Sequence, residues 1–169
     1  MTAARLGELA HSRRNLDGSG PVREGQWSAR TYPLIVLLHT MVIGGTLLRG
    51  RRRPNASWLR LLVAVQPIRL WILLLLGSRW NTRGAVPVAM PVETRGPYAV
   101  IRHPNYVVVM VELLALPMAF GLGRLAALAA VANAALLWPR IREEERALMA
   151  LPGYREHFGR KARFIPRVF

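Results

Sequence analysis

The chain has 169 residues, enough for one domain, and joins 52% apolar residues to a formal charge of +15. That pairing is foreign to a soluble domain and fits apolar spans separated by basic loops, because Lys and Arg gather at the cytoplasmic face and near anionic headgroups. Nucleic-acid binding would need the charge on one solvated face with stacking aromatics, whereas the arginines here are dispersed between apolar runs, and the absence of cysteine with only four scattered histidines excludes disulfide frameworks and leaves no metal-ligand spacing.

In chain order, residues 1–31 form a basic segment broken by Gly18, Gly20, Pro21 and Gly25, within which "ARLGELAHSRRN" suits a short amphipathic helix. Residues 32–48, "YPLIVLLHTMVIGGTLL", carry no formal charge and reach the lower limit of a spanning helix. "RGRRRP" at 49–54 stops that span. A second candidate covers 58–76, "WLRLLVAVQPIRLWILLLL", although Arg60, Gln66, Pro67 and Arg69 lie inside it. A polar segment, 77–105, follows. The apolar stretch 106–138 would measure roughly 50 Å as one helix, against about 30 Å of bilayer core, so it reads as a helical hairpin turning at "GLGR". Residues 139–169 form a charged tail. The sum is an all-α polytopic integral membrane protein of one domain, with two spanning helices and a hairpin, embedded in the lipid bilayer.

Orientation follows from the basic residues. Segments 1–31, 77–105 and 139–169 share one side in this topology and carry 17 of them, against five in the 49–54 loop and the hairpin turn. The positive-inside rule puts the polar segment and the tail together in the cytoplasm.

The seam "GPYAVIRHPNYVVVMVELL" then becomes informative, because the hairpin returns "RIREEERAL" to the side that holds "IRHPNY". One cluster offers a histidine, tyrosines and an arginine; the other offers carboxylates. A zwitterionic cofactor suits that pairing, with a glutamate for its ammonium and Arg, His or Tyr for its carboxylate. Plainer readings exist. Tyr98 and Tyr106 fit interfacial anchors, and Arg140 with Glu144 and Arg142 with Glu145 have the spacing of surface helix pairs; Glu143 is assigned to that class. Glu112 sits inside the apolar arm, where a carboxylate costs roughly 2.5–3.5 kcal/mol, so it needs Arg102, Arg69 or Arg83 as a partner or must snorkel. His39, Gln66 and Asn133 read as interhelical hydrogen-bonding groups.

"GPYAVIRHPNY", an apolar hairpin and "EERALMALPGYREHFGRKARFIP" together resemble the isoprenylcysteine carboxyl methyltransferase family, over about residues 77–169. "GSRWNTR" and "YPLIVLLHT" are similar to its bacterial branch found with type III polyketide synthases, which extends the likeness to most of the chain. The resemblance implies S-adenosylmethionine as cofactor and a lipophilic small-molecule acceptor, an alkylpyrone or alkylresorcinol methylated on oxygen, with a type III polyketide synthase as partner. It implies the bacterial inner membrane, with the active site facing the cytoplasm and the tail covering it. On matching positions, Tyr98, His103, Pro104, Tyr106, Glu144 and Glu145 would bind the cofactor, and Arg102 falls in the same segment. Phe158 departs from a tyrosine common in the family, and the relatives' N-terminal span is reduced to "ARLGELAHSRRN". For the chemistry, an anionic acceptor oxygen needs only an orienting cation, Arg83 or Arg102, while a phenol needs a base, Glu112 or His103. Isoprenylcysteine carboxyl, phospholipid or thiol methylation and a non-enzymatic basic membrane scaffold are the alternatives.

Overall fold

The computed structural model describes residues 2–18, 20–51, 53–88 and 91–168, with side chains from residue 7 onward apart from Leu9. Arg5 and Leu6 of the N-terminal segment, Arg52 of the basic loop and Met90 of the polar segment therefore lie outside the described side chains. The helices are α1 (Thr2–Gly18), α2 (Gln26–Arg49), α3 (Ala56–Ala64), α4 (Gln66–Leu76), α5 (Pro104–Ala119), α6 (Gly123–Met149) and α7 (Tyr154–Phe158). Among the described residues the sheet is confined to two-residue strands, β1 (Val22–Arg23) and β2 (Val86–Pro87), antiparallel with Val22 opposite Pro87. The helical expectation holds apart from this ribbon, which fastens the N-terminal segment to the 77–105 loop.

The first span starts six residues earlier than expected. A helix begins with amides that lack intrahelical partners, and here Trp27 and Ser28 donate theirs to Glu143 Oε2, at 2.9 and 3.1 Å, from α6. Gly25 makes the approach possible, since a Cβ there would run into the Glu143 carboxylate. Glu143 is thus a cap for a distant helix rather than a surface charge.

The second span is not one straight helix. Pro67 has no N–H for the carbonyl of Val63 and its ring crowds that turn, so α3 gives way to α4 at Val65. With the following 3-10 turn, Ala56–Arg79 still forms a 24-residue run apolar enough to cross a membrane, as does α2. Asn55 starts it by accepting from the amides of Ser57 and Trp58.

The hairpin turns where expected, at Gly121 with φ of 77°, but its second arm does not end at residue 138. α6 continues through Pro139 to Met149 because "RIREEERALM" consists largely of strong helix formers. At 27 residues it is roughly 40 Å long, about 10 Å more than a bilayer core. The "EEER" run therefore rides on a rigid helix end, and the irregular tail begins near residue 150.

α2 and α5 pack on α6, and α3 packs on α5. Val42, Leu113 and Ala129 join three of these helices in one apolar cluster, and Val65, Ile72 and Val108 form another. The outward faces carry large apolar residues and the interior admits polar ones: Leu37, Met41, Leu70, Leu74, Leu128 and Val131 are exposed, while Thr46, Arg69, Glu112 and Asn133 are buried beside the apolar clusters. A water-soluble fold reverses this distribution; a lipid-facing one requires it.

The same inversion governs α1. Its inward stripe is Glu8, Ser12 and Asn15, at i, i+4 and i+7. Glu8 accepts two bonds of 2.6 Å from Arg69. Ser12 Oγ accepts from the Thr82 amide at 2.9 Å, and Asn15 donates to the carbonyls of Trp80 and Gly77. The segment is helical as expected, but it docks through polar groups and holds residues 77–82 in place.

Candidate active site at the membrane face

His103 ends the loop and Pro104 opens α5, where the missing proline N–H costs nothing. The backbone of this junction is paired to the tail: the amides of Arg102 and His103 each donate at 3.0 Å to the carbonyls of Ala162 and Arg163. Glu145 closes the arrangement. Its carboxylate accepts from Arg163 at 2.8–3.1 Å and Arg102 at 3.3 Å, and lies 3.2 Å from His103 Nε2. Burial pushes the Glu145 pKa up, but the hydrogen bonds from His103 and Arg163 outweigh it and hold the group down at about 2.

One residue earlier, Glu144 accepts from the Tyr106 hydroxyl. The helix pairs expected of the "RIREEE" run are not what forms: Arg142 lies over the Trp138 ring at 6.0 Å, and Arg140 turns inward. Arg140 is 4% exposed, donates from Nη2 to the Thr82 carbonyl at 2.6 Å, and leaves Nε without a hydrogen-bond partner among the described residues. Gly84, at φ of 68°, lies against that guanidinium, where a Cβ would come within 2.9 Å of Nε.

These groups surround a cavity of about 240 Å³ that runs from the face into the helices. Its mouth is polar, with Arg102, His103, Tyr106, Arg140, Glu144 and Tyr154. Its inner end is mostly apolar, with Ile35, Val109 and Leu137 from α2, α5 and α6. Burial, and then the nearby Glu144 carboxylate, raise the pKa of Tyr98 and Tyr154, so both hydroxyls remain donors at neutral pH. On the loop wall Glu93 is held at about 2 by its hydrogen bonds with Arg95, despite partial burial, and also binds Arg79.

Of the residues singled out from sequence, Tyr98, Arg102, His103, Tyr106 and Glu144 line the cavity. Pro104 is buried beside it as the first residue of α5, and Glu145 lies behind the wall, tying the tail down. Glu112 is set deeper, 3.1 Å from Arg69 and 3.0 Å from Gln66, so Arg69 is the partner it needed and snorkelling is unnecessary. Arg83 lies outside the lining, half-exposed, 3.5 Å from Glu24 and over the Tyr32 ring. Gln66 does bridge helices. His39 Nδ1 bonds the Ile35 carbonyl of its own helix, and Asn133 has no hydrogen-bond partner among the described residues. Sequence reasoning missed Arg140 as a cavity residue because its spacing to Glu144 suits a surface pair equally well. It also missed Trp80 and Thr82, whose place depends on the polar docking of α1.

A mostly helical chain with two helices apolar enough to cross a membrane is consistent with the class of all-α membrane proteins. The model of the isoprenylcysteine carboxyl methyltransferase (ICMT) family matches residues 58–150. The chain is also 33% identical over 158 residues to uncharacterized protein YpbQ of Bacillus subtilis (strain 168), covering 88% of this chain and 92% of that one. The protein belongs to the ICMT family, which implies an S-adenosylmethionine-dependent membrane methyltransferase.

Proposed function

We propose that the protein transfers the methyl group of S-adenosylmethionine to an oxygen of a lipophilic acceptor, a long-chain alkylpyrone or alkylresorcinol. The observation that carries this reading is a cavity with a carboxylate and a buried guanidinium, its Nε unpaired among the described residues, at the mouth and apolar walls within. The residues fit the cofactor: Glu144 suits its ammonium, Arg102 and His103 suit its carboxylate, and the Tyr98 and Tyr154 hydroxyls remain donors for its ribose. When bound, it would supply an electrophilic methyl group for transfer to the acceptor oxygen.

What the chain contributes is placement and exclusion of water. Arg140, with a free donor at Nε, orients an anionic acceptor oxygen, a role open to Arg102 as well. A neutral phenol, with an ordinary pKa near about 10, needs proton removal, and His103 is the cavity group placed for it. Glu112 acts through Arg69, itself a lining residue, and is a positioning residue. Glu145 and Pro104 position the 102–106 segment. The basic-residue asymmetry supports a site facing the cytoplasm of a bacterial inner membrane, and a type III polyketide synthase is the class of enzyme that would supply the acceptor.

The test is calorimetric titration of the detergent-solubilised protein with S-adenosylhomocysteine. Saturable binding weakened about tenfold or more in Glu144→Ala and His103→Ala, and much less in Glu143→Ala, is expected. No binding by folded protein overturns the reading and returns the chain to a basic membrane scaffold. Mass and labelled-methyl position in the product separate oxygen methylation from carboxyl, phospholipid or thiol methylation.

A further inference from the structure

Asn133 lies two turns before Arg140 on α6, about 10.5 Å deeper along the axis and on the same helix face. Leu137, one turn from each, lines the cavity between them. Asn133 also lines the cavity, is 0% exposed, and has neither Oδ1 nor Nδ2 hydrogen-bonded to any described residue. On its other side, one turn further along, Ala129 belongs to the dry cluster with Val42 and Leu113. The amide therefore marks the border between packed core and cavity.

A buried amide with both functions unpaired bears the desolvation cost of each group, and lipid surroundings offer no relief. Leucine has the same branching, with bulkier methyl ends, and would carry no such cost. A ligand presenting both a donor and an acceptor at that depth removes the cost, and a hydroxyl is the smallest group that does.

We infer that Asn133 is a specificity-determining residue of the acceptor subsite, recognising a second hydroxyl or enol oxygen on an acceptor whose first oxygen is methylated nearer the mouth. This rests on the methyltransferase reading for which oxygen reacts, but not for where the second oxygen binds. The acceptor class narrows to dioxygenated rings bearing a lipid chain. A monohydroxylated lipid leaves the amide unpaired and is bound more weakly, because a site built to hydrogen-bond a hydroxyl discriminates strongly against the analogue lacking it.

The experiment compares pentadecylresorcinol with pentadecylphenol, identical but for one hydroxyl, as ligands of the detergent-solubilised full chain, read by quenching of tryptophan fluorescence, since Trp80 lines the cavity. Wild type is expected to prefer the resorcinol by about tenfold or more, and Asn133→Leu to reduce that preference below about threefold, through loss of resorcinol affinity. Asn133→Leu is also expected to unfold at the same or a higher temperature without ligand, which a structural asparagine would not do. An unchanged preference in Asn133→Leu, equal binding of both probes by wild type as expected of an amide satisfied by water alone, or saturable binding of neither overturns the inference. S-adenosylhomocysteine titration of the same samples keeps the two readings apart: its failure removes the methyltransferase assignment, while the probe ratio still decides Asn133.

Discussion

Two carboxylates, Glu112 and Glu145, hold arginine in the same chain and do different work. Glu112 lies among the helices with Arg69, which also holds Glu8, and everything in that network is nearly dry. Glu145 sits at the face, where Arg163 is a third exposed and the partners come from loop and tail rather than from packed helices. The interior network joins elements that must not separate; the face network joins a covering segment to its base. Exposure of one partner sets that difference, since removal of one member of the interior network leaves an uncompensated buried charge, whereas Arg163 is exposed enough to be rehydrated.

Substitutions should separate the two. Glu112→Ala is expected to destabilise the fold by about 3–5 kcal/mol, read as a fall in thermal midpoint in detergent, with Glu112→Gln milder because it keeps an oxygen for Arg69. A loss below about 1 kcal/mol in Glu112→Ala would put the interior network on a level with the face. Glu145→Ala is expected to cost about 2 kcal/mol locally, leaving the midpoint nearly unchanged while trypsin cuts after Lys161 and Arg163 several times faster.

Acid sharpens the comparison further. Glu145 and Glu93 both have folded-state pKa values lowered to about 2. A depressed pKa contributes stability that is whole above the ordinary carboxylate range and is lost as pH falls through the folded value. Hydrogen exchange at the amides of Arg102 and His103 should therefore hold steady down to about pH 4.5 and accelerate between there and about 2, beyond the intrinsic pH dependence of exchange. Insensitivity across that window would detach the tail from Glu145. The smallest effects belong outside both networks: Glu143→Ala should lose about 1 kcal/mol of capping with S-adenosylhomocysteine affinity kept, and Arg83→Ala less than about 0.5 kcal/mol.

How much of this could be read from the sequence depends on which solvent logic applied. The apolar runs gave the helices, and Gly121 gave the turn, because lipid-facing residues announce themselves by composition. The convergence of "IRHPNY" with "EEER" followed from that topology. What stayed hidden was the polar inside. Glu8, Ser12 and Asn15 have a clear helical period, but it is a period of polar groups, and a search for apolar stripes passes over it. Arg140 and Glu143 have spacings that suit an ordinary solvated helix, so only the tertiary arrangement shows one buried and the other capping α2. Asn133 was expected to bond another helix, and it borders the cavity instead. The break at Val65 and the run of α6 through Pro139 show one residue type with opposite outcomes: the helix is interrupted at Pro67 and continues through Pro139.

The Glu143 cap also bears on the order in which the chain can be built. The amides it receives lie 115 and 116 residues earlier in the sequence. During synthesis, which proceeds from the N-terminus, the start of α2 must wait for nearly the whole remaining chain before its partner exists. The first of the two long apolar helices to be made is among the last to be finished, and a chain interrupted before Glu143 would leave its opening amides uncapped.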